Sequence, residues 1–110
     1  MKYSIVINQV GIVRAGLHAK TDLTDWALLH YLFNKSRELN LSKDSYIPIN
    51  YKCIMNENPM LGISTKDPLT VRFKRLESIG LINSHKSIDN HKFIKLTNLT
   101  FSIIGGWQDE

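Results

Sequence analysis

Cysteine occurs once in the 110-residue chain, as Cys53, so no intrachain disulfide can form. No run of about 18 apolar residues is present, and no transmembrane helix is therefore expected. Residues 1–16 contain a short apolar run, but Asn8 and Gln9 interrupt it, and a secretory signal peptide requires a longer unbroken run. These observations predict a cytoplasmic protein in which Cys53 is a small buried side chain.

Motifs that carry catalysis or bind metal are also scarce. Gly105 and Gly106 are adjacent, but two glycines alone do not make a phosphate-binding loop, and no Ser-His-Asp or Cys-His spacing is recognisable. His30 lies in an apolar stretch, and no other His, Cys or carboxylate stands at metal-ligand spacing from it. We therefore expect a protein that is not an enzyme and that uses no metal or cofactor.

Positive charge is unevenly distributed along the chain, whose formal net charge is +4. Residues 66–95 include seven basic and three acidic residues, whereas the rest of the chain has seven of each. The entire excess of positive charge thus falls in one contiguous stretch. Such a concentration is typical of a surface that binds a polyanion, and a solvated helix face without a ligand is the alternative.

Hydrophobic periodicity predicts three helices, and the first two lie in the N-terminal half. The first covers residues 21–39, where Thr24 is the expected N-cap and large apolar side chains recur at helical spacing. The second is short and follows Asn50, which is expected to cap it. Cys53 and Ile54 are expected to face the core from this second helix.

The third helix covers residues 67–79. We expect Asp67 to cap it, with Pro68 in the first helical position, where a missing N–H is tolerated. Gly80 is the predicted stop, because glycine readily adopts the left-handed conformation that ends many helices. At about 100° per residue, the apolar side chains fall on one face of this helix. They are Leu69, Phe73 and Leu76.

Strands are predicted at both ends of the chain. Residues 3–15 are rich in β-branched side chains, which predicts a strand or loose hairpin within an N-terminal β-segment of residues 1–20. Residues 97–110 are expected to add a strand at 101–104 and then to begin a linker.

The order of elements between residues 21 and 96 predicts a winged helix-turn-helix core. Pro48 limits its segment to a short edge strand between the first two helices. The second and third helices with their apolar turn make a helix-turn-helix, and the hairpin that follows is the wing, with residues 85–92 at its end. The expected fold class is α+β, with three helices, a C-terminal β-hairpin wing and the extra N-terminal β-segment. Residues 1–110 are expected to form a single domain.

Three segments of this predicted core resemble the N-terminal winged helix of phage and plasmid replication initiators, the replisome-organiser or DnaD-like proteins. They read LTDWALLHYLFN, YIPINYKCIMNENPMLGIS and DPLTVRFKRLESIGLI, and the similarity extends over about two thirds of the chain. The turn PMLGISTK and the helix LTVRFKRLESIGLI are similar to that family's turn and recognition helix. The resemblance implies a role in DNA replication with a helicase or helicase loader as partner. It also implies a homodimer or larger assembly formed through the N-terminal β-segment.

The expected contacts with double-stranded DNA fall into three groups. A major groove is wide enough to admit the third helix, and Arg or Lys can read guanine there while Thr and Val can touch a thymine methyl. The side chains expected in the major groove are Thr70, Val71, Lys74 and Arg75. Those expected to bind phosphate near the start of the helix are Ser64, Thr65 and Lys66. Those expected on the wing are Lys86, Asn90, His91 and Lys92.

Two other functions are compatible with the same predicted fold. A winged-helix transcriptional regulator would use the same helix but requires a palindromic operator and a symmetric dimer. A protein-interaction domain would bury the third helix against a partner or a second copy of the chain, and an exposed Val71 favours that alternative. One contiguous exposed patch of Lys74, Arg75, Lys86 and Lys92 would favour DNA.

Overall fold

The computed structural model describes residues 7–89 and 91–104, which form an α+β structure. Its helices are α1 (Gln9–Arg14), α2 (Leu23–Glu38), α3 (Tyr51–Glu57), α4 (Lys66–Ser78) and α5 (Asn98–Ile104). Its strands are β1 (Ile47–Pro48), β2 (Ile82–Lys86) and β3 (Lys92–Leu96). A 3-10 turn, Pro59–Leu61, lies between α3 and α4. The predicted α+β class is confirmed, but the described residues contain five α-helices where three were predicted.

The three strands form a small antiparallel sheet in the order β1-β3-β2. Strands β2 and β3 are the predicted hairpin, with Ile82 opposite Leu96 at one end and Lys86 opposite Lys92 at the other. Strand β1 is two residues long and pairs with β3, and Pro48 lies on it at the edge of the sheet, where proline is tolerated. The hairpin and the short edge strand therefore agree with the sequence prediction.

Helix α2 begins with a reciprocal cap formed by two carboxylates. Asp22 Oδ1 accepts the Asp25 backbone N–H at 2.8 Å, and Asp25 Oδ2 accepts the Asp22 N–H at 3.1 Å. The N-cap is therefore Asp22, and the prediction that Thr24 caps this helix is wrong. Two residues three positions apart satisfy two backbone donors at once, which a single threonine hydroxyl cannot do.

The starts of α3 and α4 lie close to their predicted positions. The Asn50 side chain accepts the Cys53 backbone N–H at 3.1 Å, as expected of an N-cap. The thiol of Cys53 is exposed rather than buried, because this seven-residue helix buries only Ile54 fully. Helix α4 begins at Lys66 with Thr65 in the N-cap position, so the predicted Asp67 cap is wrong and Asp67 lies in the first turn. This puts Pro68 in the third helical position, where its missing N–H is still one of four that lack an intrahelical partner.

The junction between α4 and the hairpin is fixed by backbone hydrogen bonds at a glycine. Gly80 has a φ of 85°, its N–H donates to Glu77 O at 3.1 Å, and the Leu81 N–H donates to Leu76 O at 3.0 Å. This pattern satisfies carbonyls that the helix end leaves unpaired, and glycine adopts its left-handed conformation without steric penalty. The Glu77 carboxylate also accepts the Ser84 backbone N–H at 2.9 Å, which ties β2 to the last turn of α4.

The predicted N-terminal strand is wrong for the part of it that the structure describes. Helix α1 forms there, and Asn8 caps it by accepting the Gly11 N–H at 3.0 Å. The amide of the same Asn8 donates to Ile103 O at 3.0 Å, and Ile12 is buried. Packing against α5 therefore overrides the local preference of β-branched residues for strand. The beginning of the predicted strand lies outside the described residues.

The predicted strand at residues 101–104 is also wrong, because α5 occupies that stretch. Ile103 and Ile104 are both buried, which adjacent residues of a strand with one buried face would not be. Thr100 has no exposed surface, and its hydroxyl donates to Leu81 O at 2.5 Å. Residues 105–110, the expected start of a linker, lie outside the described part of the chain.

The core brings α2, α4 and the sheet together. Its side chains with no exposed surface include Leu28, Leu29, Leu69, Leu76 and Ile94. Burying each such side chain stabilises the fold by roughly 1.5–3 kcal/mol. Among the described residues, none of the helices has both the length and the apolar character needed to cross a membrane.

Candidate nucleic-acid interface

A groove of about 690 Å³ runs between α4 and the β2-β3 hairpin, and we call it the lysine groove. Its lining residues are Ile49, Tyr51, Lys66, Thr70, Lys74, Ser84, His85, Lys86, His91 and Lys92. Six of the eleven predicted DNA-binding residues are among them, namely Lys66, Thr70, Lys74, Lys86, His91 and Lys92. Folding therefore brings members of all three predicted groups to one groove, some from α4 and some from the hairpin.

Helix periodicity explains the α4 side of the lysine groove. Leu69 and Phe73 are buried against the core, which turns the neighbouring row of residues toward the hairpin. That row has a spacing of four, so its members are stacked along one side of the helix. It consists of Lys66, Thr70 and Lys74. Two of its three side chains are cationic.

The register of the hairpin explains the other side. Lys86 and Lys92 are directly opposite each other in the β2-β3 pair. Like charges directly opposite each other on paired strands repel, and this repulsion destabilises a hairpin. An anion placed between the two ammonium groups would remove that repulsion. The hairpin therefore contributes two neighbouring positive charges to the wall of the lysine groove.

Aromatic rings of the core hold two of these lysines. Lys66 Nζ is 5.0 Å from the centroid of the Tyr51 ring, and Lys92 Nζ is 5.7 Å from the centroid of the Phe73 ring. The two rings are themselves neighbours, with centroids 6.3 Å apart. An ammonium over an aromatic face is attracted by the ring quadrupole, so these contacts give the lysines defined positions at the groove wall.

The two arginines of α4 face away from the lysine groove. Arg75 Nη2 lies 2.6 Å from Asp25 Oδ2, and Arg72 Nη1 lies 2.9 Å from Asp25 Oδ1 and 2.8 Å from Asp22 Oδ1. Asp25 has no exposed surface. The predicted contiguous patch is therefore observed for Lys74 and the two hairpin lysines but not for Arg75, which is one residue and about 100° further around the helix.

These ion pairs make the arginines part of the fold. Partial burial by itself would raise the pKa of Asp22, but the Arg72 hydrogen bond, the Asp25 N–H and the charges of Arg72 and Arg75 together lower it. The pKa of Arg72 is raised by the same acids, against the opposing effect of burial. Removing Arg75 would leave the buried Asp25 carboxylate one partner short, which costs about 1–3 kcal/mol.

The remaining predicted residues lie outside the lysine groove. Ser64 and Thr65 are exposed in the connection that leads into α4, and Ser64 lines a separate depression beside α3. Val71 is 61% exposed on α4. Asn90 lies outside the described residues. His91 does line the groove, and its Nε2 is 3.4 Å from Asp89 Oδ2.

Four lining residues were not among the predicted DNA contacts, namely Ile49, Tyr51, Ser84 and His85. Tyr51 immediately follows the predicted cap Asn50, so its place at the start of α3 was predictable. Its contact with Lys66 was not, since that contact depends on the angle between α3 and α4.

Among the described residues, no group of three or more His, Cys, Asp or Glu side chains is arranged to hold a metal ion. Comparison of the chain with protein-family models, with curated proteins and with solved structures found no match in any of the three. Any functional assignment therefore depends on the lysine groove, its charges and the order of the elements around it.

Proposed function

We propose that this chain is a winged helix-turn-helix domain that binds duplex DNA through the lysine groove. The observation that carries the proposal is the convergence of four lysines from α4 and the hairpin on one groove. They are Lys66, Lys74, Lys86 and Lys92. None of the four makes an ion pair with an acid in residues 7–89 and 91–104, so their charge is available to a polyanion.

The order of elements supports the same proposal. Helices α3 and α4 with the 3-10 turn between them act as the helix-turn-helix, and the β2-β3 hairpin acts as the wing. In this arrangement α4 enters a major groove with Lys74, while Lys86 and Lys92 follow the adjacent phosphate backbone. The N-terminal β-segment has no part in this proposal, since its described part is helical.

The cellular role proposed for this domain is initiation of phage or plasmid DNA replication. It rests on the resemblance of three sequence segments to replisome-organiser and DnaD-like proteins. A helicase or a helicase loader is the protein partner that this role requires.

Fluorescence anisotropy of a labelled duplex titrated at several salt concentrations tests DNA binding. The informative variant is Lys74→Ala/Lys92→Ala, which removes one lysine from each side of the groove. Lys20→Ala/Lys43→Ala is the matched control, because it removes two exposed lysines that do not line the groove. Each phosphate contact contributes about 0.9 to the slope of log K against log salt, so the loss of Lys92 should reduce that slope by about 0.9, while the loss of Lys74 lowers the affinity further.

Tight binding at low salt that weakens in the groove variant and not in the control would support the proposal. Equal weakening of both variants would mean that net charge, rather than the groove, attracts the DNA. A wild-type protein that does not bind any duplex at low salt would refute the proposal.

A second candidate function, self-association, is favoured by exposed apolar side chains of α1 and α2. Val13 is 54% exposed and Leu23 is 69% exposed, and both line a shallow groove of about 240 Å³ together with Trp26. A second copy of the chain would pack helix against helix here rather than extend a sheet. Sedimentation velocity on the wild type and on Val13→Ser/Leu23→Ser tests this candidate, and a wild-type protein that stays monomeric at high concentration would eliminate it.

A further inference from the structure

We propose that the lysine groove holds the phosphate backbone and that this domain discriminates little among DNA sequences. This inference rests on the proposed function, since it describes which part of the duplex the groove contacts. It depends on which side chains of α4, the helix that would face the bases, can donate or accept hydrogen bonds. Sequence-specific proteins read base edges mainly with Arg, Asn and Gln, whose paired donors or acceptors match guanine or adenine.

The arginines of α4 are already occupied. Arg72 donates to both Asp22 and Asp25, and Arg75 donates to Asp25 at 2.6 Å. For Arg75 to reach a guanine, its guanidinium would have to leave a carboxylate that has no exposed surface. Helix α4 contains neither Asn nor Gln. The side chains that usually supply bidentate base contacts are therefore engaged or missing from this helix.

Most of the other polar side chains of α4 are engaged as well. The Thr70 hydroxyl donates to Lys66 O at 3.2 Å, and the Ser78 hydroxyl donates to Arg75 O at 2.7 Å. The Glu77 carboxylate accepts hydrogen bonds from β2. The Thr70 and Ser78 hydroxyls therefore bond to carbonyls of α4 itself, and the Glu77 carboxylate bonds to the hairpin. Few polar atoms of the helix remain for a ligand.

The cationic side chains of the groove that have no acid partner among the described residues are lysines, and lysine binds a phosphate more readily than it recognises a base edge. An ammonium acts as a point charge with rotatable donors, whereas recognition of a planar edge depends on the fixed fork of arginine. All four lysines line the groove, and the proposal assigns Lys66, Lys86 and Lys92 to phosphate and Lys74, in the middle of α4, to a base edge. Exposed Val71 adds at most an apolar contact with a thymine methyl.

The test is a selection from a library of duplexes with a randomised centre, followed by competition measurements at one fixed salt concentration. The affinity of the most enriched duplex is compared with that of a scrambled duplex of equal length. We expect a ratio of about a hundredfold or less, the amount that one bidentate base contact can supply. Sequence-specific proteins typically reach ratios of about 10³–10⁷.

Two single variants sharpen the measurement. Lys92→Ala should weaken the enriched and the scrambled duplex by the same factor, because it removes a phosphate contact. Lys74→Ala should also weaken both, and in addition it should reduce the ratio between them. Lys20→Ala is the control for the loss of one exposed lysine outside the groove.

The outcomes separate the two proposals. A ratio well above a hundredfold, with duplex binding intact, would overturn sequence-tolerant binding and leave the proposed function standing. No binding to any duplex at low salt would overturn both, and the error would then lie in the proposed function. A small ratio with binding through the lysines supports the inference and disfavours a regulator that must find a palindromic operator.

Discussion

Adjacent side chains of α4 have different roles, and Lys74 and Arg75 are the clearest pair. Lys74 lines the lysine groove, while the guanidinium of Arg75 turns to the buried Asp25 carboxylate. Both are basic and both lie on the polar side of an amphipathic helix, so the sequence analysis expected both to contact DNA. The distinguishing partner is 50 residues away in the chain. One of these cations is available to a ligand, and the other stabilises the contact between α4 and α2.

Arg75→Ala should therefore lower stability, whereas Lys74→Ala should lower DNA affinity. Arg75→Ala should lower the free energy of unfolding by about 1–3 kcal/mol, because it removes a partner from a buried carboxylate. Lys74→Ala should change that free energy by no more than about 0.5 kcal/mol, as exposed substitutions usually do. DNA affinity should fall for Lys74→Ala only. Urea denaturation and anisotropy on both variants check this, and equal loss of affinity in the two would contradict the assignment.

His30 gives the protein a predictable dependence of stability on pH. It is buried in α2, and burial lowers its pKa below the ordinary 6.5. As pH falls below 6.5, the unfolded chain takes up a proton on this histidine while the folded chain does not, so the folded state loses stability until its own lower pKa is reached.

The urea midpoint should consequently fall between pH 7 and pH 5.5, and His30→Gln should reduce the part of this fall that the buried imidazole causes. Glutamine stays neutral over the whole range. A variant whose midpoint follows the wild-type pH profile throughout would show that His30 does not contribute.

Helices and strands with strong local signals formed where the sequence predicted them. The periodicity of α2 and α4, the Asn50 cap of α3 and the Gly80 stop all act within a few residues, so a sequence pattern contains them. The errors at α1 and α5 have a different origin. Asn8 bonds to Ile103 O from 95 residues away, and Thr100 bonds to Leu81 O. Such tertiary contacts override strand propensity and leave no local signal.

Gly80 sets the angle at which the hairpin leaves α4, so its substitution should affect stability. Gly80→Ala places a Cβ on a residue with a φ of 85° and should lower the free energy of unfolding by about 1–2 kcal/mol. Gly80→Asn is the matched control and should lose less, because asparagine tolerates the left-handed region. Thermal unfolding of both variants checks the order, and an alanine variant as stable as the wild type would contradict the strained turn.

Folding changes which of the positive charges in residues 66–95 have an acidic partner. The basic excess in residues 66–95 suggested one broad cationic surface. In the fold, Asp22 and Asp25 come from outside that stretch and pair with both arginines of α4. Counting charges along the chain identified a basic stretch, but it could not separate cations that pair with acids from cations that have no acid partner among the described residues. The lysines alone therefore define the surface open to a polyanion.

The rings beneath two of those lysines would affect the free energy of the proposed phosphate binding. A free lysine stem samples many rotamers, and restricting it on contact with a ligand costs up to about 2 kcal/mol. Lys66 over Tyr51 and Lys92 over Phe73 are restricted when the chain folds, well before any ligand arrives. If the groove binds phosphate as proposed, the ligand would meet two ammonium groups that already lie over aromatic rings, so less side-chain entropy would remain to be lost on binding.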